Sequence, residues 1–352
     1  MKSLYEEFEK LSKTDFDYYN ANRLTNNVFK NPFSTGGDHL EFIKTYFRKA
    51  GKNNVLLEEF SLDKIAEEEI NNLNAIHTNS VFFLGLLIRS KTEFKNNLFF
   101  NEVNKPVYPT FPLIWFLSIL FHDMAYKFEK DPNLKLEIFD IDCAIKKFNI
   151  EHFLLDVDLK TISEVNVKLI DSIKPYFIYR RYSMKVIDHG ILAGIYLYDQ
   201  LVKNRIIKKA QNELNSKKWH DTLDIQYAIA CFSIACHNIW LPTPDKICEY
   251  AKFELIDLIK FKPISLSNFP LLFLFGIVDT MDPIKTYIND HEPEYVLKNI
   301  LIDFESTSVT FINKEDSFLK FEELVKKSDN LIGWLDVKIE SKKNELKIIF
   351  KS

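Results

Sequence analysis

The sequence predicts a mainly α-helical protein, with a helical-bundle core followed by a small C-terminal α+β unit. Three observations predict it. Glycine and proline are sparse, 8 and 12 of 352 residues, whereas a turn-rich sandwich or barrel uses more of both. Between residues 73 and 295, apolar residues gather in runs of helical length separated by breakers. Beyond residue 296 the period shortens to alternation, the mark of strands.

Residues 1–72 read as an N-terminal helical segment. Ser3–Lys13 and Asp38–Ala50 space apolar residues three and four apart, and Asn31–Gly37 breaks the chain between them. Residues 73–295 read as the core. Its expected helices are Leu73–Ser90, Pro112–Glu129, Leu136–Phe148, Thr161–Ile173, Ile187–Asn204, Leu223–Trp240, Lys246–Ile259 and Phe269–Met281. Breakers stand between them at Asn104–Pro109, Asp131–Asn133, Lys174–Pro175, Leu241–Pro244 and Lys262–Pro263. Residues 296–352 read as a ββαββ appendage. Strands are expected at Ile300–Phe304 and Ser308–Asn313, a helix at Asp316–Lys327, and a closing hairpin around Ser341–Asn344. Phe318, Phe321 and Leu324 are expected to cover the sheet. Its edge strands are open to pairing with a second copy, so a homo-oligomer is among the expected partners.

The bulk numbers narrow the function. A net charge of −4 gives no global attraction for anionic membranes, and long duplex nucleic acid is an unfavourable partner. Four cysteines without a C-x-x-C pair, three of them in apolar stretches, read as free thiols of a reducing compartment. The N-terminus is acidic and amphipathic rather than a signal peptide, and the longest apolar run, Phe111 to Phe121, is too short to span a bilayer. The expected location is cytoplasmic.

The strongest local signal is LIWFLSILFHDMAYK, where His122 and Asp123 close an apolar helical run. A carboxylate in such a place needs a cation or other partner, because burying an unpaired charge is costly. A second pair, His220–Asp221, follows no apolar run and reads as an exposed helix start, with Asp221 or Thr222 as the cap. His77, His189, His237 and Asp279 also interrupt or end apolar helices. One buried histidine is usually a core residue with a hydrogen bond. Four histidines and two aspartates in such places point instead to a metal site for manganese, iron, nickel or zinc.

The order His77 … His122–Asp123 … His189 … His237 … Asp279 resembles the HD-domain superfamily of metal-dependent phosphohydrolases, in its dinuclear subset. The resemblance covers about residues 73–282 and implies an HD-domain helical core. It assigns His77, His122, Asp123 and Asp279 to one ion and His189 and His237 to a second, with Asp123 bridging. It implies hydrolysis, by a metal-activated water, of a phosphodiester or phosphoanhydride bond in a nucleotide or similar phosphorylated small molecule. Asp282 fits the closing position less well than Asp279. The family's lysine three residues after the aspartate is replaced by Tyr126, with Lys127 one position later as the phosphate-reaching candidate or a solvated helix end. Arg180 and Arg181 are candidate phosphate clamps, of which at most one points inward. Asp188 is a candidate to orient a ligand histidine or to cap a helix, and Asn238 to touch substrate or close a helix. The same ligand order resembles that of mixed-valent di-iron oxygenases of this fold, and a non-catalytic regulatory module is a third alternative.

Overall fold

A helix that is apolar on every face has to be buried on every face. TFPLIWFLSILF and PLLFLFGIVDTM are such helices, and the architecture forms around them. The computed structural model describes residues 1–13, 33, 72–96, 110–129, 131–158, 167–211 and 219–351. In chain order, its longer helices begin with α1 (Leu4–Lys13), α2 (Asn72–Lys91), α3 (Thr110–Phe121) and α4 (Val167–Tyr182). They continue with α5 (His189–Gln211), α6 (Thr222–His237), α7 (Pro270–Met281) and α8 (Phe321–Ser328). The strands are β1 (Lys2–Ser3), β2 (Ile300–Glu305), β3 (Ser308–Asn313), β4 (Val337–Lys342) and β5 (Glu345–Phe350). The protein is mainly α-helical with a small antiparallel sheet toward its C-terminus. Among the described residues, no helix is long and apolar enough to cross a membrane. The helix expected at Asp38–Ala50 lies outside the described residues.

The described residues divide into two compact units. One gathers 1–13, 33, 72–96 and 265–351, and the other 110–129, 131–158, 167–211 and 219–264. The division runs through the segment 73–295, because α2 packs on α7 and β2 while α7 packs on α8.

In the first unit the strand order is β1-β2-β3-β5-β4, with every neighbouring pair antiparallel. Ile302, Phe311 and Leu346 stand opposite one another across three strands, and all are buried. The two hairpins follow the alternation in the sequence. β1 does not, since Lys2 and Ser3, paired with Ile302 and Leu301, are too few to alternate. α8 begins at Phe321 rather than Asp316, because the preceding residues turn at 315–316 and are then tied elsewhere: Phe318 N–H donates to Tyr295 Oη at 3.0 Å and Asn313 Nδ2 to the Leu319 carbonyl at 3.3 Å. Phe318 is therefore 82% exposed, while Phe321 and Leu324 are buried. Beneath the helices, Phe8, Phe33 and Phe83 cluster with ring centroids 5.3–6.0 Å apart.

In the second unit α5 and α6 form the main helix pair. Gly194 makes this possible: a Cβ there would lie 2.4 Å from the Cys231 carbonyl oxygen. α3 packs on α6. α3 stops at Phe121, short of the expected Glu129, as Met124, Tyr126 and Phe128 turn their N–H groups to carbonyls three residues back. α4 runs through Pro175, where a break is expected. A proline inside a helix costs about 3 kcal/mol, and the buried neighbours Ile173, Tyr176 and Phe177 offset it. The helix expected at 136–148 is two, Pro132–Glu137 and Ile141–Lys147, capped by Asp131 and Asp140. That expected at 246–259 is also divided, with Glu254 at a φ of 61° after Ile247–Lys252.

α1 starts with a reciprocal cap. Ser3 N–H donates to Glu6 Oε2 at 2.8 Å, and Glu6 N–H donates to Ser3 Oγ at 3.3 Å. Ser3→Ala should lower stability by about 1 kcal/mol in urea unfolding, a loss that an idle surface serine would not produce.

Candidate metal centre

Each unit carries a group of candidate ligands. In the second unit the centre is Asp123, just past the end of α3. His122 Nε2 lies 3.3 Å from Asp123 Oδ2. His189 Nε2 and His237 Nε2 lie 3.3 and 3.7 Å from the other oxygen, Oδ1. Asp123, His189 and His237 each offer a ligand atom within 4.8 Å of the other two. Two donors each about 2.1 Å from one cation, and about 90–110° apart, are about 3.0–3.4 Å from each other. The observed spacing is close to that and longer than a good charge-assisted hydrogen bond.

Each imidazole is held through its other nitrogen. His122 Nδ1 is 2.8 Å from the Ile119 carbonyl and His237 Nδ1 is 2.6 Å from the Ile234 carbonyl. Both carbonyls lie in a last helical turn, where the backbone leaves them without an intrahelical donor. His189 Nδ1 faces Glu129 Oε2 at 3.4 Å. With Nδ1 as the N–H donor, each Nε2 is left to meet the carboxylate or a cation.

The electrostatics match the geometry. Burial would raise the Asp123 carboxyl, but the imidazoles of His122, His189 and His237 reverse this and hold it well below the usual carboxylate range. Burial pulls the His189 imidazole down, and its contacts with Asp123 and Glu129 outweigh that and raise it to about 9. A cation entering the cluster therefore displaces protons. The Asp123 side chain is 24% exposed, against 1%, 8% and 6% for His122, His189 and His237. Solvent thus reaches the cluster at the carboxylate.

Supporting groups surround these ligands. Arg180 donates from Nη2 to Glu129 Oε1 at 2.6 Å, and its Nε is 3.1 Å from Asp188 Oδ2. Asp188 is fully buried; Oδ1 accepts from the Ile191 N–H at 2.8 Å, which caps α5, and Oδ2 accepts from Asn238 Nδ2 at 3.1 Å. Asn238 follows α6, and its Oδ1 accepts from Trp240 Nε1 at 3.0 Å. The guanidinium of Arg180 is thus engaged in fixing Glu129 and Asp188. Arg181 donates to the carbonyls of Ile138 and Lys135. Lys127 is exposed, with its ammonium 4.9 Å from the Phe128 ring centroid.

The first unit holds the second cluster. His77 on α2 sets Nε2 3.1 Å from Asp279 Oδ1 and Nδ1 2.7 Å from Asp282 Oδ2. Asp282 is fully buried, accepts from Ser80 Oγ, and caps the helix Pro283–Tyr287 through the Ile284 and Lys285 N–H groups. Burial lowers the His77 imidazole, and the two aspartates outweigh this and lift it to about 9. Asp279 thus faces Nε2 and Asp282 faces Nδ1.

Sequence reading misses Glu129, Ser80 and the supporting role of Asp282. Asp282–Pro283 carries the helix-start signal of a capping residue before proline, whereas nothing local marks Glu129. The pair His220–Asp221 is engaged in local contacts. His220, not Asp221 or Thr222, accepts the Thr222 N–H, while Asp221 binds Arg205 and Lys209.

Gly190 fixes the approach of α5 to His237: a Cβ there would lie 2.9 Å from the ring atoms Cε1 and Nδ1 and 3.0 Å from the Ile234 carbonyl. Gly190→Ala should keep the helical circular-dichroism spectrum, lose roughly 1–3 kcal/mol of stability, and weaken metal binding as His237→Ala does. Unchanged metal affinity would contradict this placement of His237.

Compared with protein-family models, with curated proteins and with solved structures, the chain has no match.

Proposed function

We propose that the chain is a metal-dependent hydrolase. It cleaves a phosphodiester or phosphoanhydride bond of a nucleotide or similar phosphorylated small molecule, with two transition-metal ions as cofactor. The observation that carries this reading is the divided carboxylate of Asp123, which has His122 on one oxygen and His189 and His237 on the other. A carboxylate with different imidazoles at its two oxygens suits a bridge between two cations. In this reading His122 serves one ion and His189 with His237 the other. The ligand order along the chain makes His77 and Asp279 further metal donors in this reading. When bound, such ions lower the pKa of water toward neutrality and offset charge on a phosphoryl oxygen.

The chain's own residues hold the donors ready. The Ile119 and Ile234 carbonyls and Glu129 fix three imidazoles, and Asp282 fixes the fourth. Little reorganisation is then needed as the ions are taken up. Arg180 keeps Glu129 and Asp188 in place, a positioning role rather than contact with substrate.

Metal analysis of the purified protein should find close to two transition-metal ions per chain, and chelation should abolish turnover on a panel of phosphodiesters and phosphoanhydrides. Asp123→Ala should lose both ions, and His189→Ala or His237→Ala about one. The double variant His220→Ala, Asp221→Ala should keep both. Full metal content and turnover in Asp123→Ala would overturn the assignment.

A further inference from the structure

A phosphate-cleaving centre needs cations of its own to hold the substrate's charge, and Arg180 and Arg181 are engaged elsewhere. In the first unit two lysines from different elements lie within electrostatic reach of Asp279. Lys285, on the helix Pro283–Tyr287, donates to Asp279 Oδ1 at 2.7 Å, with its side chain 44% exposed. The lysine end of this pair is open to solvent, so this ammonium is able to turn toward a more highly charged anion.

Lys327 is carried by α8. Phe321, Leu324 and Ser328 form the buried face of that helix, and Lys327 lies three residues after Leu324. Its stem therefore runs along the edge of the buried face. α8 packs on α7 and on Pro283–Tyr287, the elements that carry Asp279 and Lys285. At its start, the Tyr287 hydroxyl donates to the Lys320 carbonyl at 3.0 Å and pins the helix there. The Lys327 ammonium is half-buried, and among the described residues it makes no hydrogen bond or ion pair. Burial first, and then repulsion from Lys285, lower its pKa, while Asp279 and Asp282 oppose this through space.

A cation that has lost hydration without gaining an ion pair, next to a second cation, is unfavourable by itself. An anion with two or more negative charges offsets both penalties. We infer that Lys327 and Lys285 bind the phosphate of the substrate beside the His77–Asp279 cluster. The segment 296–352, which carries no candidate metal ligand, thereby supplies an anion-recognition group. The word substrate rests on the hydrolase reading; the anion site does not.

The two are separable by titrating the full chain with inorganic phosphate, first in the presence of a chelator and then with metal added back. The chelated protein should bind phosphate saturably. Lys327→Met and Lys285→Met should each weaken that binding about tenfold or more, the effect of one charged hydrogen bond. Lys327→Arg should retain most of it, and metal uptake by the two Lys327 variants should match the unsubstituted chain. Lys285 is exposed, so its variant keeps the test open should Lys327→Met fold poorly. Phosphate binding that is absent in the unsubstituted chain, or equal in the lysine variants, would overturn the inference. Lysine-dependent binding in a protein that hydrolyses no phosphate ester would leave the anion site standing and remove the hydrolase reading.

Discussion

The Asp123 carboxylate stays ionised in a largely buried place because three imidazoles face it, and those imidazoles face it because their other nitrogens are tied down. Much of the second unit follows from this constraint. α3 ends at Phe121 and α6 at His237, so the Ile119 and Ile234 carbonyls are left to accept the Nδ1 protons of His122 and His237. A helix extended by one more turn would give those carbonyls backbone donors and release both rings. The helix ends also favour positive charge on the imidazoles next to them. Gly190 and Gly194 then bring α5 close enough to α6 for His189 to join the group.

The first unit solves the same problem with a side chain. His77 sits in the middle of α2, where its own carbonyls are already used, and Asp282 takes the place of a helix-end carbonyl. Asp282 remains fully buried because Ser80 and two backbone N–H groups share its oxygens with His77. The neighbouring Asp279 is left to face Nε2. Two aspartates three residues apart thus do different work, one orienting and one presenting an oxygen.

The helical class and the paired hairpins of residues 300–350 were legible in the sequence, since each rests on period. So were the histidines that end or interrupt apolar helices. What was not legible depends on contacts far apart in the chain. Glu129 matters through Arg180 and His189, and no local pattern announces that. The engagement of Arg180 with two buried carboxylates overrides its general suitability for phosphate. Pro175 inside α4 shows packing prevailing over a local breaker, and the split of residues 136–147 shows capping aspartates prevailing over a continuous apolar pattern. β1 is only two residues long and finds its place through pairing with β2 alone.

Both groups turn on one arrangement: four imidazoles held at Nδ1 and presenting Nε2. Long-range proton–nitrogen NMR of histidine-labelled protein, titrated with zinc, reads both nitrogens of each ring directly. His77, His122, His189 and His237 should each keep a proton on Nδ1 and bind zinc through the Nε2 lone pair, losing any proton held there. His39, His152, His220 and His291 should stay unchanged. Zinc bound through Nδ1, or the proposed rings remaining in averaged tautomers with zinc in excess, would contradict it.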